Sequence, residues 1–239
     1  MQRHGLSHAD ARLYWERLDP AYTPLLVWFD ELDHPGLEQM LLHKTGGAAR
    51  TCAARQCDVI RVPKPEADAF YTAHHLQGLC NGNNTYGLVY NDLLVACMTF
   101  NAGSACRGVA AEHLLQRFAV AGSIPGAASK LLTAFQKEHR GAILSYSDGR
   151  YAAGSLYETL GFQCVTVNDP DYRYYDPSAK AWFNKSRFQL KHLRPRMEAA
   201  GKDWTGLTEW EMAYQLGLHR CYELSKKTWL LPDDGFGCM

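Results

Sequence analysis

The run Gln116-Arg117-Phe118-Ala119-Val120-Ala121-Gly122-Ser123-Ile124-Pro125-Gly126-Ala127-Ala128-Ser129-Lys130-Leu131-Leu132 constrains the fold more than any other part of the chain. Residues His113 to Val120 predict a strand and Ala127 to Lys137 a helix, and only small residues and one proline separate them. A strand that turns directly into a helix is an α/β unit. Such a turn also aims backbone N–H groups at an anion, and the helix dipole adds positive potential. Gly126 and Ala128 are small enough for a phosphate or acyl carrier to approach the backbone. Ser123 is the first candidate donor, and Ser129 adds a hydroxyl. A tight turn with no ligand is the competing reading.

The neighbouring sequence extends this unit into a sheet. Asp58 to Val62 predicts a strand, Glu66 to Leu76 a helix, and Asn81 to Asn84 a turn. Tyr86 to Val89 and Leu93 to Phe100 read as a hairpin around Tyr90-Asn91-Asp92. Ala142 to Tyr146 reads as a strand, Ala152 to Leu160 as a helix and Phe162 to Val167 as a strand. Upstream, Ala9 to Leu18 and Leu37 to Leu42 are helical in pattern, Leu25 to Phe29 reads as a short buried strand, and Thr45 to Ala48 as a loop. The expected organisation is an N-terminal extension over 1–50, an α/β core with a mixed sheet over 51–176, and a basic extension over 177–239. In that last part Gly201 to Gly206 reads as a linker and Thr208 to Leu216 as a helix. Thr208 and Glu211 are spaced for a capping box, and an extended end lies near Trp229.

No apolar run approaches the ~20 residues of a membrane span, and Met1 to Gly5 leads into polar sequence rather than an export signal. The 8 cysteines include no C-x-x-C pair, so a zinc ribbon is not expected and reduced thiols are. Net charge is +0, yet Lys180, Lys185, Arg187, Lys191, Arg194 and Arg196 fall in one stretch without Asp or Glu, interleaved with Trp182, Phe183 and Phe188. That is either a solvated face or a nucleic-acid contact surface, with Lys185, Arg187, Lys191, Arg194 and Arg196 as phosphate contacts.

The second informative phrase runs from Ser145-Tyr146-Ser147-Asp148 through Leu156-Tyr157-Glu158-Thr159-Leu160-Gly161-Phe162. A helix reading A-x-x-L-Y-x-x-L-G-F after a strand resembles the closing half of the GCN5-related acetyltransferase fold. The turn before Gly126-Ala127-Ala128 resembles that fold's acyl-CoA loop, although the family's usual first residue there is Arg or Gln and Ser123 stands in its place. The fit spans roughly 58–168. The resemblance implies an α+β fold with a mixed central sheet flanked by helices. It also implies a carrier site drawn from Arg117, Ser123, Gly126, Ala128, Ser129 and Tyr157.

More particular phrases are His75-Leu76-Gln77-Gly78, Leu115 to Val120, Gly126 to Leu131, Ser145 to Asp148, Ser186-Arg187-Phe188 and Gly217 to Tyr222. Together they resemble the Mom DNA-modification family of Mu-like bacteriophages, which converts the exocyclic amine of adenine in phage DNA to its carbamoylmethyl form and so evades host restriction. The resemblance implies double-stranded DNA as partner, the host bacterial cytoplasm as location and no membrane. The added group has the atoms of a glycyl unit. A glycyl carrier such as glycyl-tRNA is therefore one candidate donor. The transferred amine then attacks the ring carbon, and a five-membered spiro intermediate opens to the product. Acetyl-CoA with a separate nitrogen source and iron chemistry is the other. A small-molecule or protein N-acetyltransferase, and a non-catalytic DNA-binding module, are the alternative functions.

Asp148, just after a strand, is the candidate proton acceptor, and His75 a candidate base; together they are candidate iron ligands. Their plainer readings are a helix cap and a structural histidine. Tyr146 and Tyr151 complete the catalytic set, and Tyr71 and Phe118 join them as rings for a flipped adenine. Arg117 is a candidate partner for phosphate or carboxylate, or a salt bridge on the sheet.

Overall fold

The structure, a computed structural model, describes residues 17, 25–28, 31–103, 105–106 and 109–233. Its described part is a mixed α/β fold whose seven-stranded sheet is flanked by helices, compatible with an acetyltransferase-like arrangement. The chain divides into two compact units. The larger comprises Val27–Ser147, Gly154–Thr166 and the chain from Lys227; the smaller comprises residues up to Leu26, Asp148–Ala153 and Val167–Lys226. The division therefore differs from the expected cuts at 50 and 176. Residues 167–226 form the smaller unit's main body, and the chain then re-enters the large sheet.

The elements of the larger unit are α1 (Pro35–Lys44), β1 (Asp58–Arg61), α2 (Lys64–His74), β2 (Asn84–Tyr90), β3 (Leu93–Ala102), β4 (Ala105–Cys106), β5 (Val109–Ala110), β6 (His113–Val120), α3 (Ala127–Glu138), β7 (Ile143–Asp148), α4 (Ser155–Thr159) and β8 (Gln163–Val167). A late strand, β12 (Lys226–Leu231), completes a sheet of order β1-β2-β3-β6-β7-β12-β8. The β2–β3 turn has Asn91 at φ 50 and Asp92 at φ 62, as a tight hairpin requires.

The sheet buries both faces. Leu88, Met98, Phe100 and Leu115 meet Leu131, Leu132 and Phe135 of α3, and the Phe100 and Phe135 rings stack at 3.7 Å. Cys97 and Ala119 meet Ala67, Phe70 and Tyr71 of α2 in a second core. Strict alternation along β6 would put Leu115 and Ala119 on one face. They face opposite cores because Gln116 is an extra residue: Thr99 pairs with Arg117 but Phe100 pairs with Leu115. This bulge is invisible to a period-two reading of the sequence.

Several expectations change at this level. Leu25 to Trp28 form no strand, and the helix expected over Ala9 to Leu18 lies, Arg17 apart, outside the described residues. The helix expected from Ala152 starts only at Ser155, because Gly154 adopts φ 109, a left-handed conformation that ends the preceding loop. A Cβ at Gly154 would lie 2.0 Å from the Trp229 ring.

The smaller unit holds β9 (Tyr172–Asp176), β10 (Ala181–Asn184), a 3-10 turn over Lys185–Phe188, α5 (Leu190–Ala199), α6 (Glu209–Gln215) and β11 (His219–Tyr222). Its sheet has the order β10-β9-β11. Tyr174, Phe188, Leu193, Met197, Met212, Ala213 and Leu218 form its core. Leu193 and Met197, one helical turn apart, are the inward face of α5, leaving Lys191, Arg194 and Arg196 exposed. The basic run is thus an ordered strand, turn and helix. Thr208 and Glu211 make the expected capping box, with Thr208 N donating to Glu211 Oε2 at 2.8 Å.

Candidate functional site

The most distinctive geometry lies where β6 leaves β7. On one side β6 runs antiparallel to β3 along its length. On the other it pairs in parallel with β7 only through His113–Leu115 and Ile143–Ser145. Beyond these residues β6 continues to Val120 and β7 to Asp148 without pairing to each other. Two parallel strands that part in mid-sheet leave a fork with backbone polar groups along its edges, and the Gln116 bulge sits at its mouth.

Hydroxyl groups fill the base of the fork. The buried Ser145 hydroxyl lies 2.9 Å from the Leu115 carbonyl oxygen and 3.0 Å from the Tyr157 hydroxyl. Tyr157 in turn donates to the Tyr146 carbonyl at 3.1 Å. Tyr157 is aimed there by packing: its ring stacks on Trp229 at 5.4 Å and meets Phe162 edge-on at 5.5 Å. Trp229 is itself fixed by a 2.9 Å bond from its indole N–H to the Ser147 hydroxyl. Burial pushes the Tyr157 phenol above the usual tyrosine range, and the Ser145 hydrogen bond opposes that rise. At neutral pH Tyr157 is a protonated donor at the strand fork.

The glycine turn is braced by the residues before β1. The Ser123 amide donates to the Ala49 carbonyl at 3.1 Å, and the Ser123 carbonyl accepts from the Thr51 amide at 3.0 Å. Ser123 therefore does not offer its N–H to a ligand, because the segment around Arg50 forms a parallel bridge with it. The Ala127 amide is likewise used, by the Ile124 carbonyl. Gly126, at φ 84, is the N-cap of α3 and makes no side-chain cap bond; it and Ser129 are exposed, while Ala128 is buried.

Arg117 projects from β6 to the loop after α2. Its Nη1 reaches His75 Nδ1 at 3.1 Å and Gln77 Oε1 at 3.0 Å, and its Nη2 reaches the Leu79 carbonyl at 3.3 Å. Arg117 thus ties a loop to the sheet. His75 Nδ1 also accepts from the Gln77 amide at 3.1 Å. Burial first, then the Arg117 and His34 charges, hold the His75 pKa down to about 3, so the ring is neutral. With its Nδ1 engaged in this way, His75 is poorly placed as the free base the sequence suggested. Tyr71 is wholly buried, its hydroxyl 2.7 Å from Thr99 Oγ1, so it does not offer a face to a base. Phe118 packs against the larger core, whereas Tyr146 is exposed.

Asp148 belongs to the smaller unit, as do Arg150 and Tyr151. The Asp148 carboxylate accepts from the Arg150 amide at 3.0 Å and from its guanidinium at 3.2 Å. Arg150 also lies 4.0 Å from Glu223, and its guanidinium covers the Tyr151 ring at 4.3 Å. Two residues of spacing let one carboxylate close a turn and neutralise a buried arginine, so Asp148 acts structurally as the clamp of this corner. Among the described residues no group of three or more His, Cys, Asp or Glu is arranged to hold a metal ion.

The basic surface of the smaller unit is built on rings. Arg187 lies over Phe183 at 5.4 Å, Arg196 over Phe188 at 4.9 Å and Arg194 over Trp204 at 4.8 Å. The rings hold the guanidinium planes while their charge stays in solvent. Lys185 differs: it pairs with Asp171 at 2.6 Å, which removes it from the free cations.

Among the described residues no helix is long and apolar enough to cross a membrane. Comparison with protein-family models finds no match, and comparison with curated proteins finds none either.

Proposed function

We propose that this chain is a group transferase that modifies the exocyclic amine of adenine in DNA, with the fork between β6 and β7 holding the activated donor. The observation that carries the reading is the Tyr157 hydroxyl at the base of that fork. Strand edges that part from each other beyond Leu115 and Ser145 suit a donor carbonyl or amide. A buried phenol that keeps its proton suits a leaving group that departs with negative charge. In the step proposed, the adenine amine attacks the donor carbonyl and a C–N bond forms. The bond from that carbonyl to the carrier's sulfur or oxygen breaks, and the Tyr157 proton goes to the departing atom. The amine's lost proton passes to solvent. Tyr157 then recovers a proton from water.

Adenine in DNA as the acceptor rests on the resemblance of the sequence phrases to the Mom family, and it is supported by the ring-mounted Arg187, Arg194 and Arg196. A glycyl donor, followed by rearrangement through the spiro intermediate, gives the carbamoylmethyl product with all atoms accounted for. Acetyl-CoA needs a nitrogen source in addition. The chain would then act on phage DNA in the host cell, against restriction.

The test is mass spectrometry of nucleosides from DNA of bacteria expressing the chain. A new adenine adduct is expected with the native sequence. Tyr157→Phe should lower its yield about 10²–10⁴-fold, the usual contribution of a positioned acid, with the circular dichroism spectrum unchanged. Glycine labelled on nitrogen and carbon should deliver both labels to the base. Absence of any adduct, together with tight coenzyme A binding, would replace this reading with an ordinary acetyltransferase; full activity in Tyr157→Phe would remove Tyr157 from the step.

A further inference from the structure

We propose that an open groove along the outer face of α3 is a second nucleic-acid site, which grips a single strand by its phosphates. The groove has a volume of about 880 Å³ and is lined by Arg50, Arg55, Lys130, Lys137, Gly126 and Ser129 among others. Arg50, Arg55 and Lys137 are exposed and have no acidic partner among the described residues. Lys130 spends its donors on the carbonyls of Ala54 at 3.0 Å and Cys57 at 2.6 Å, which leaves its charge uncompensated. The carboxylate in the lining, Glu138, is already taken: Arg61 lies 3.5 Å away and the Tyr86 hydroxyl donates to it at 2.8 Å. The groove is therefore a cationic trough with its one negative side chain engaged elsewhere.

Its length selects the ligand. Gly126 to Lys137 spans roughly 16 Å of helix at 1.5 Å per residue. A lone phosphate or pyrophosphate meets one end of such a track, whereas successive phosphodiesters meet cations along all of it. The remaining lining is small, with Ala53, Ala54, Val59, Pro125, Thr133 and Ala134 and no aromatic ring. Bases have nothing to stack on, so recognition is through the backbone and independent of sequence. A trough of about 880 Å³ is far smaller than a duplex segment of the same length, so it takes one strand. The strand is either the single-stranded end of an RNA-borne donor or the opened DNA strand; the chemistry of the grip is the same. This inference deepens the transferase reading, but its test is binding and needs no catalysis.

Fluorescence anisotropy of labelled single-stranded RNA and DNA decamers decides it, with a duplex decamer for comparison and coenzyme A as competitor. Both single strands should bind the native chain more tightly than the duplex, with affinity falling as salt rises. Arg55→Glu with Lys137→Glu should weaken single-strand binding at least tenfold and reduce the log–log salt slope by about 1.4, two contacts at about 0.7 each. Arg55→Gln with Lys137→Gln should show the slope change with a smaller loss, and guards against misfolding of the reversed variant. Tighter RNA than DNA assigns the groove to the donor, and the reverse order to the opened target; both uphold it. Unchanged binding in both groove variants, or displacement of the strand by stoichiometric coenzyme A, overturns the proposal. Single-strand binding without adenine modification would leave the groove standing and sink only the transferase reading.

Discussion

The fork at Ser145 and the corner at Asp148 are three residues apart in sequence, and they satisfy buried polar groups in opposite ways. At the fork neutral hydroxyls pass hydrogen bonds from Ser145 and Tyr157 to backbone carbonyls. At the corner charges cancel charges: Asp148 binds Arg150, Glu223 lies close to Arg150, and Lys226 pairs with Glu223 at 2.9 Å. The difference bears on reactivity. A neutral donor resting on a carbonyl can redirect its proton at small cost, because both arrangements have one hydrogen bond. A carboxylate clamped by a buried guanidinium cannot leave it without stranding a charge. The fork keeps its protons on neutral donors, and the corner holds its charges in pairs.

The comparison is broken most forcefully at the corner. Asp148→Ala leaves Arg150, whose side chain is 5% exposed, without its closest anion among the described residues. It should cost about 3–5 kcal/mol in urea unfolding. If Asp148→Ala is as stable as the native chain and only activity is lost, the assignment of roles is reversed. Gly154→Ala comes next, since it combines strain at φ 109 with a clash against Trp229. It should destabilise by about 1–3 kcal/mol and unseat Tyr157 as well, which a shift of tryptophan fluorescence would report.

Ser145→Ala sharpens the fork itself. It should cost about 1–2 kcal/mol through the stranded Leu115 carbonyl. Because the Ser145 bond opposes the rise caused by burial, its loss should move Tyr157 ionisation further up in an alkaline absorbance titration. A downward move would mean that the bond does not favour the phenolate. His75 provides a smaller effect. Its folded pKa, about 3, lies below the ordinary ~6.5, so the unfolded chain binds the extra proton between those values. Stability should therefore fall as pH drops through that window, and His75→Gln should flatten the decline. The smallest effect belongs to the exposed cations: Lys191→Ala with Arg194→Ala should change stability by no more than about 0.5 kcal/mol. The same pair should lower the salt slope of duplex binding by about 1.8, at 0.9 per contact.

The strand over His113–Val120 and the helix after Gly126 are legible in the sequence because local signals act there: a run of strand formers, a glycine turn and a patterned helix. The Gln116 bulge is not legible there, since an inserted residue shows only against a partner strand. The helix before Leu160 starts later than its pattern predicts, since Gly154 is left-handed and a Cβ there would strike the Trp229 ring of a strand distant in sequence. Tyr172-Arg173-Tyr174-Tyr175 is the central strand of the smaller sheet, and its core-facing Tyr174 is masked in the sequence by the charged run that follows. Arg50, Arg55, Lys130 and Lys137 line one groove only after folding, and no short window of the sequence contains them all. Asp148 was conspicuous beside Tyr146 and Tyr151, yet its engagement depends on Arg150 folding back onto it.

The place of β12 has a consequence for how the molecule is made. This strand lies between β7 and β8, although about sixty residues of another unit are synthesised between β8 and β12. On the ribosome, β8 emerges long before the neighbour that joins it to the sheet, and Trp229, which steadies Tyr157, arrives later still. The 2.8 Å bond from the Asn168 amide to the Lys226 carbonyl draws the two ends of that intervening segment together. If the small unit folds first, it converts a long, entropically costly closure into a short one. The fork between β6 and β7 would then be among the last features to become ordered.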